Sequence, residues 1–287
     1  MYALDYANSA LFDHTLTTRM EAVAQNDPNG VDDAHAGLTE LESRICDGLR
    51  AGEFHVVFRG AYRGASGELT RVEAQVRWTH PDYGLLLPGI FMMSLEHQHV
   101  VQEMASFVVD SVCREIRGCL DAQLPLRKVA IAVPVQIALL DSFADDLARA
   151  ARSYRIPLDL FEIEVSDSAE AAKLLSLCTM TGGLRELGVG IALGKWGSDT
   201  SSLALLGTLD VDTITVAQEL MGAVPRDKRA CIVTSALLDL LFALGIRVVV
   251  SGVETEQQLR WLSQWPEVLV QGTFLSRPQQ ELADLLA

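Results

Sequence analysis

One stretch of the chain decides the predicted fold: Val189-Gly190-Ile191-Ala192-Leu193-Gly194-Lys195-Trp196-Gly197. Residues 189–193 form a short apolar run without a polar face, which is typical of a parallel strand buried on both sides. A polar run with the chemistry of a helix start follows. The strand is therefore predicted to end at Leu193, which places Gly194 and Lys195 at its carboxyl end, where parallel α/β folds bind ligands.

Similar apolar runs recur along the chain and alternate with helical patterns. The predicted strands cover residues 54–62, 69–78, 129–133, 160–165, 189–193, 213–216, 248–250 and 268–270. The predicted helices cover residues 33–49, 100–119, 142–153, 168–187, 201–206, 226–244 and 256–263. Alternation over roughly 230 residues predicts an α/β fold, a TIM-like eight-stranded barrel. A hairpin-like turn over residues 64–67 joins the first two strands, so the first strand is predicted to be antiparallel.

Composition limits the classes of partner. The chain has 287 residues, of which 49% are hydrophobic, enough for a sizeable core. No apolar run is long enough to span a bilayer, and no secretory signal opens the chain, so a cytoplasmic protein is predicted. The formal net charge of -15 argues against binding to nucleic acid or to a membrane surface, although it leaves room for one basic pocket.

Four motifs stand in order along the chain, each at the end of a predicted strand. They are Glu73-Ala74-Gln75-Val76-Arg77-Trp78-Thr79-His80-Pro81, Glu162-Ile163-Glu164-Val165-Ser166-Asp167-Ser168, Gly252-Val253-Glu254-Thr255 and Gln271-Gly272-Thr273-Phe274-Leu275-Ser276-Arg277-Pro278. Together they resemble the motifs of EAL-type cyclic-di-GMP phosphodiesterases over about residues 53–278. The run over residues 189–197 is similar to the family's Asp-Asp-Phe-Gly motif, with both acids replaced.

The resemblance implies a metal-dependent activity. In the active family enzymes two divalent cations, held by carboxylate and amide oxygens, activate a water that attacks a phosphodiester. Glu73, Glu164 and Glu254 stand at family acid positions. Gly194 and Lys195 replace the two Asp, Thr215 the water-orienting Lys, Ala217 a nearby Asp and Ser251 a further Glu, and no Asn follows Asn29. These departures lead us to expect a chain that is not an enzyme, with no catalytic residue, no metal and no cofactor.

The same positions predict a vestigial ligand pocket. Its candidate residues are Arg59, Glu73, Gln75, Arg77, Glu164, Lys195, Glu254, Gln271 and Arg277. Arg59, Arg77 and Lys195 offer cationic contacts to phosphates without metal, whereas the surviving acids would repel a dianionic ligand. Lys195 is further predicted to pair with Glu73 or Glu164 in place of the metal; the alternative is a side chain turned to solvent.

Three functions remain open on this reasoning, the third being an active hydrolase that works by a route unlike that of the family. The leading one is a catalytically inactive EAL-like domain that acts as a regulatory protein–protein interaction module in cyclic-di-GMP signalling, with an unidentified protein partner. The alternative is a metal-independent cyclic-di-GMP receptor domain. Self-association is also left open, because residues 199–200 replace the usual Gly-Tyr of the segment through which the family dimerises.

The domain prediction divides the chain near its start. Residues 1–32 are predicted to be an N-terminal extension or linker, and residues 33–287 an EAL-like barrel domain. Residues 6–12 fit either an ordinary leading helix or the tail of a preceding GGDEF-like domain.

Overall fold

A computed structural model describes residues 38–92, 95–138, 140–166, 182–198, 203–208 and 210–287. The predicted extension over residues 1–32 and most of the helix predicted over 168–187 lie outside these ranges, so both stay predictions. The chain divides into two compact units. One comprises Met1–Val56 with Val76–Val108, and the other comprises Val57–Gln75 with Val109–Ala287.

The described ranges contain the following elements. The strands are β1 (Phe54–Arg63), β2 (Leu69–His80), β3 (Gly84–Leu86), β4 (Lys128–Ala132), β5 (Phe161–Ser166), β6 (Gly190–Trp196), β7 (Thr213–Val216), β8 (Arg247–Val250) and β9 (Leu269–Val270). The α-helices are α1 (Glu40–Ala51), α2 (Pro88–Phe91), α3 (Gln98–Asp121), α4 (Val135–Ala138), α5 (Asp141–Tyr154), α6 (Gly182–Glu186), α7 (Lys228–Ala243), α8 (Glu256–Leu262) and α9 (Ala283–Leu286). None of these helices is both long and apolar enough to cross a membrane.

The strands close into an eight-stranded barrel. Their order is β1-β9-β8-β7-β6-β5-β4-β2, and pairing of β1 with β2 completes the ring, while β3 is added beyond β2. All neighbours from β2 through β4 to β9 are parallel, whereas β1 pairs with β9 in antiparallel orientation. The predicted α/β, TIM-like barrel with an antiparallel first strand is therefore confirmed.

The strand that contains Lys195 is longer than predicted. Its pairing runs from Leu193 opposite Ile214 directly to Trp196 opposite Val216, so that Gly194 and Lys195 together oppose a single residue of β7. This is a β-bulge, which inserts an extra residue and bends the strand locally. The strand therefore does not end at Leu193: it continues through the bulge to Trp196.

In the smaller unit, one buried acid fixes the chain around α1. Thr39 caps this helix, and the Glu42 side chain completes the capping box by accepting the Thr39 backbone N–H. The same carboxylate accepts the backbone N–H groups of Glu96 at 2.8 Å and His97 at 2.7 Å. Burial alone would raise the pKa of Glu42, but these hydrogen bonds outweigh it and lower the pKa to about 2.

Candidate functional site

An arginine inside the barrel is the centre of the buried charged groups. Arg71 lies on β2 and is 2% exposed. Its Nε donates to Glu162, and its Nη2 donates to Glu164 at 2.5 Å. Both carboxylates lie on β5, two residues apart, and therefore point to the same side of that strand. The three side chains form what we call the Arg71 cluster.

The intervening strand makes room for the Arg71 cluster. β4 lies between β2 and β5, and its Ala130 is in register with Glu73 on one side and with Glu162 on the other. Residues in register on neighbouring strands share a face of the sheet. The methyl side chain of Ala130 therefore leaves space for a long side chain to reach from β2 to β5.

Two threonines on β7 donate hydrogen bonds to the two acids of the cluster, while Arg71 Nη1 has no hydrogen-bond partner within the described residues. Thr213 Oγ1 donates to Glu162 Oε1 at 2.7 Å, and Thr215 Oγ1 donates to Glu164 Oε2 at 3.0 Å. Arg247 Nη1 lies 3.7 Å from Glu162 Oε1. Thr215 stands where the resemblance implies that a lysine has been replaced. Its hydroxyl donates to Glu164, the acid of a different motif.

The cluster sets the protonation states of its two acids. Burial would raise the pKa of Glu162, but Arg71 and the Thr213 hydroxyl outweigh it and lower that pKa. Burial also raises the pKa of Glu164, and there the negative charge of Glu73 adds to the effect, so the pKa stays raised despite Arg71. As the pH falls, Glu164 therefore takes up a proton before Glu162.

Gly194 is needed because Glu164 lies against its backbone. A Cβ atom at position 194 would lie 2.7 Å from Glu164 Oε1, closer than real Cβ contacts. Any larger residue would push the carboxylate away from its place in the cluster. The space left by the replaced acid of the motif is therefore occupied by Glu164.

The predicted pairing of Lys195 with Glu73 or Glu164 is wrong. Lys195 adopts a left-handed backbone conformation with φ 57° in the bulge, its side chain is exposed, and it forms no ion pair with a carboxylate in the described part of the chain. The alternative, a side chain turned to solvent, describes it. The cation beside Glu164 is Arg71 instead.

Sequence reasoning missed Arg71, although a signal was present. Arg71, Glu73 and Gln75 alternate along β2 and so share a face with the motif acid. Gln75 Nε2 donates to Glu73 Oε1 at 2.8 Å, and Glu73 is half-buried. The period of two would have identified an inward-pointing arginine two residues before Glu73.

Three other predicted residues lie at the carboxyl end of the barrel strands. Gln271 directly follows β9 and is 2% exposed, and its Nε2 has no hydrogen-bond partner within the described residues. Its neighbour must be glycine, because a Cβ atom at Gly272 would lie 2.0 Å from the carbonyl oxygen of Val253. Arg277 is exposed, and so is Glu254, which precedes the Thr255 cap of α8.

Topology places Arg59 at the same end. β1 is antiparallel and its Tyr62 pairs with Val270, the last residue of β9, so the residues before Tyr62 extend beyond the carboxyl end of β9. Arg59 is half-buried there, next to a bridge between Phe58 and Gln279. β1 and β6 are four strands apart in either direction around the ring, so Arg59 and Lys195 lie on opposite sides of the barrel.

Arg77 belongs to the smaller unit. It is 5% exposed, and its Nη1 donates to the carbonyl oxygen of Val76 at 2.9 Å.

The described side chains do not fit a divalent cation. Within the described ranges no group of three His, Cys, Asp or Glu is placed to hold a metal ion. Of the acids at family positions, Glu164 already accepts from Arg71 and Thr215, and Glu254 is exposed. We therefore derive no step through a metal.

The fold and the site define a TIM-like α/β barrel with charged side chains at the carboxyl ends of its strands. Within that class the chain belongs to the EAL domain family, whose model matches residues 42–278. It is 29% identical over 239 residues to cyclic di-GMP phosphodiesterase NbdA of Pseudomonas aeruginosa, covering 83% of this chain and 30% of that protein. It is also 29% identical over 251 residues to cyclic di-GMP phosphodiesterase PA2567 of the same organism, covering 87% and 42%.

A solved structure supports the same assignment. The PaMucR phosphodiesterase in its c-di-GMP complex superposes with a TM-score of 0.76 at 25% identity, over 86% of this chain and 100% of that chain. The present chain spans less than half the length of NbdA and of PA2567.

The expectation that the chain is not an enzyme is contradicted by these relatives. NbdA and PA2567 are both named phosphodiesterases, and the family model runs through every motif at which a replacement was counted as a loss. A replaced residue shows which side chain is missing at one position. It does not show which group performs the task in the folded site.

Proposed function

We propose that this EAL domain binds cyclic di-GMP at the carboxyl end of its barrel and that binding regulates a protein partner. The observation that carries the proposal is Lys195, an exposed ammonium group that the β6 bulge holds at this end of the barrel. Ligands bind at this end in barrels of the TIM type. The likeness to the c-di-GMP complex of PaMucR supports the choice of ligand.

The arrangement of cations suits a ligand with two phosphates. Lys195 lies on β6 and Arg59 on β1, on opposite sides of the ring, so each side of the mouth carries a positive charge. Arg277 adds an exposed guanidinium after β9, beside Arg59 through the Phe58–Gln279 bridge. Guanidinium and ammonium groups form charge-assisted hydrogen bonds with phosphate oxygens, which attract a dinucleotide to a chain that is acidic as a whole.

The Arg71 cluster reduces the repulsion that the surviving acids would exert on such a ligand. Arg71 neutralises one negative charge of the Glu162–Glu164 pair. Gln271 adds a buried amide donor at the mouth that has no partner among the described residues. An amide of this kind is suited to a base or phosphate acceptor.

Titration calorimetry of the purified chain with cyclic di-GMP tests the proposal. We expect saturable binding of the dinucleotide in the presence of EDTA, because the contacts named above come from side chains alone. Lys195→Gln is expected to weaken binding about tenfold, the effect of losing one charged hydrogen bond. Absence of saturable heat both with EDTA and with magnesium would refute the proposal.

Arg155→Gln is the matched control for that variant. Arg155 is also exposed and left-handed, with φ 56°, but it precedes β5 and so lies at the amino end of the barrel strands. Its replacement removes the same charge from the chain and should leave the affinity unchanged. An equal loss for both variants would mean that net charge, rather than a site at the mouth, attracts the ligand.

Hydrolysis of the same dinucleotide is a second candidate function, favoured by the phosphodiesterase names of NbdA and PA2567. Chromatographic detection of linear product, with magnesium and then with manganese, tests it on the samples used for calorimetry. Product that forms at a rate proportional to protein and is absent with Glu73→Gln would establish the activity for this chain. Binding without product would leave the receptor function alone.

The surface proposed for protein contact is the outer side of α7. Ile232, Val233 and Leu240 are 57%, 52% and 40% exposed there, and exposed apolar patches mark contact surfaces. Sedimentation of the wild-type chain and of the double variant Ile232→Gln/Leu240→Gln tests whether the partner is a second copy of this chain. A dimer that dissociates in the variant identifies self-association through this surface, whereas a monomer in both excludes it.

A further inference from the structure

We infer that the barrel carries its own cation: the guanidinium of Arg71 is the permanent counter-charge of Glu162 and Glu164, so that Glu164, which stands at a family acid position, needs no dissociable metal to neutralise it. Arg71 is the cation of these acids whether the dinucleotide is bound, hydrolysed or neither.

The geometry of the contacts carries the inference. Two different nitrogens of Arg71 reach two different carboxylates, Nε to Glu162 and Nη2 to Glu164. The side-chain exposures are 2% for the arginine, 0% for Glu162 and 10% for Glu164, so solvent screens these charges weakly. A buried carboxylate needs a paired cation and additional hydrogen bonds, and the cluster has both.

Three of the four carboxylate oxygens of the two acids accept hydrogen bonds from protein groups. Glu162 Oε1 accepts from Thr213, and Glu164 Oε2 accepts from Thr215 as well as from Arg71. Glu164 Oε1 faces the backbone of Gly194, at a distance that leaves no room even for a methyl group. A hard cation needs several oxygen ligands in open positions, and the cluster does not offer them.

The neighbouring residues fit this arrangement. Ala130 on β4 lies between the two charged strands in register and keeps the path across the barrel free. Gly194 gives Glu164 the space to reach toward Arg71. Two small residues thus stand where larger side chains would block the pairing.

Manganese uptake by the purified chain is the first test. The wild-type chain and Glu164→Gln are titrated with Mn²⁺, and free Mn²⁺ is measured by electron paramagnetic resonance. We expect the two proteins to take up the same amount of Mn²⁺, because Glu164 is held by Arg71. Stoichiometric uptake by the wild type that is lost in Glu164→Gln would overturn the inference.

Thermal unfolding of Arg71 variants is the second test. Arg71→Met should lower the melting temperature by about 10 °C, because it leaves buried carboxylates without their counter-charge. Adding Glu162→Gln should recover part of that loss, since the second change removes one of the uncompensated charges. If Arg71→Met does not fold, the charge-balanced double variant is compared directly with Glu162→Gln in the wild-type background.

Arg247→Met is the matched control for this second test. Arg247 also lies near Glu162, at 3.7 Å, but its side chain is 45% exposed. Its loss should change the melting temperature by less than about 2 °C, as for an exposed ion pair. Equal effects of Arg71→Met and Arg247→Met, or losses in the double variant that simply add, would contradict a specific role for Arg71.

Discussion

At the residue scale, single glycines and acids control where the charges of this protein lie. Glu164 keeps its place only because position 194 has no side chain, and Glu42 stays ionised only because backbone N–H groups surround it. Backbone N–H donors hold the Glu42 carboxylate, whereas Gly194 leaves the space in which Glu164 reaches its counter-charge, Arg71.

Replacing Glu42 should weaken the fold in a pH-dependent way. The pKa of Glu42 is lowered from 4.5 to about 2 in the folded chain, so folding favours the ionised form. Its contribution to the free energy of unfolding is present above pH 4.5 and is lost as the pH falls toward about 2. Glu42→Gln should therefore lose about 2–3 kcal/mol at neutral pH, the value of charged hydrogen bonds, with a smaller difference in acid.

Chemical denaturation at neutral and acid pH measures this difference. Glu40→Gln on the same turn of α1 is the control, because Glu40 is exposed and should contribute within about 0.5 kcal/mol. A constant difference between wild type and Glu42→Gln over the whole pH range would count against the hydrogen-bonded carboxylate described here.

Gly194→Ala should also destabilise the chain. The added methyl group would collide with Glu164 Oε1 and displace it from Arg71, at a cost of about 1–3 kcal/mol, as for overpacked cores. Gly183→Ala is the control, because its Cβ would meet only Ala144 Cβ at an ordinary 3.5 Å. Denaturation midpoints measure the stability of the two variants. Similar midpoints for Gly194→Ala and Gly183→Ala would show that Glu164 is not fixed where the structure places it.

At the element scale, the bulge of β6 holds the Lys195 side chain in an exposed position and lowers the stability of the strand. A non-glycine residue in the left-handed region costs about 1–2 kcal/mol, and Lys195 occupies that region with φ 57°. The bulge exists because two residues of β6 oppose one residue of β7. The bulge directs a positive side chain out of the strand, at the end where barrels of the TIM type bind ligands.

Lys195→Gly should therefore have two opposite effects. The free energy of unfolding should rise by about 1 kcal/mol, because glycine adopts the left-handed conformation without strain, while the affinity for cyclic di-GMP should fall. Arg155→Gly is the control: it should raise stability by a similar amount and leave the affinity unchanged, since Arg155 has φ 56° at the other end of the barrel. Loss of stability in Lys195→Gly would argue against a strained bulge.

At the scale of the whole molecule, the barrel could be predicted from the sequence because each strand forms its own apolar run between helical patterns. The candidates Glu73, Glu164 and Gln271 come instead from the resemblance to the EAL family motifs. The Arg71 cluster could not be predicted in this way, because it depends on the register of β2, β4 and β5 and on the small size of Ala130. The exposure of Lys195 depends on a bulge, which the apolar pattern of residues 189–193 does not reveal.

Negative and positive charges lie in different parts of the barrel. The Arg71 cluster holds its negative charges inside, while Lys195 and Arg59 present positive charges on opposite sides of the mouth. A chain with a net charge of -15 can attract a dianionic dinucleotide only if such a separation is maintained.

A crystal structure of the chain grown with cyclic di-GMP and Mn²⁺, with anomalous data collected at the manganese edge, tests this arrangement most directly. We predict Arg71 bonded to both Glu162 and Glu164, no anomalous peak beside Glu164, and a phosphate of the dinucleotide within hydrogen-bond distance of Lys195. A manganese peak beside Glu164 with Arg71 turned away, or a dinucleotide bound away from Lys195, would contradict it.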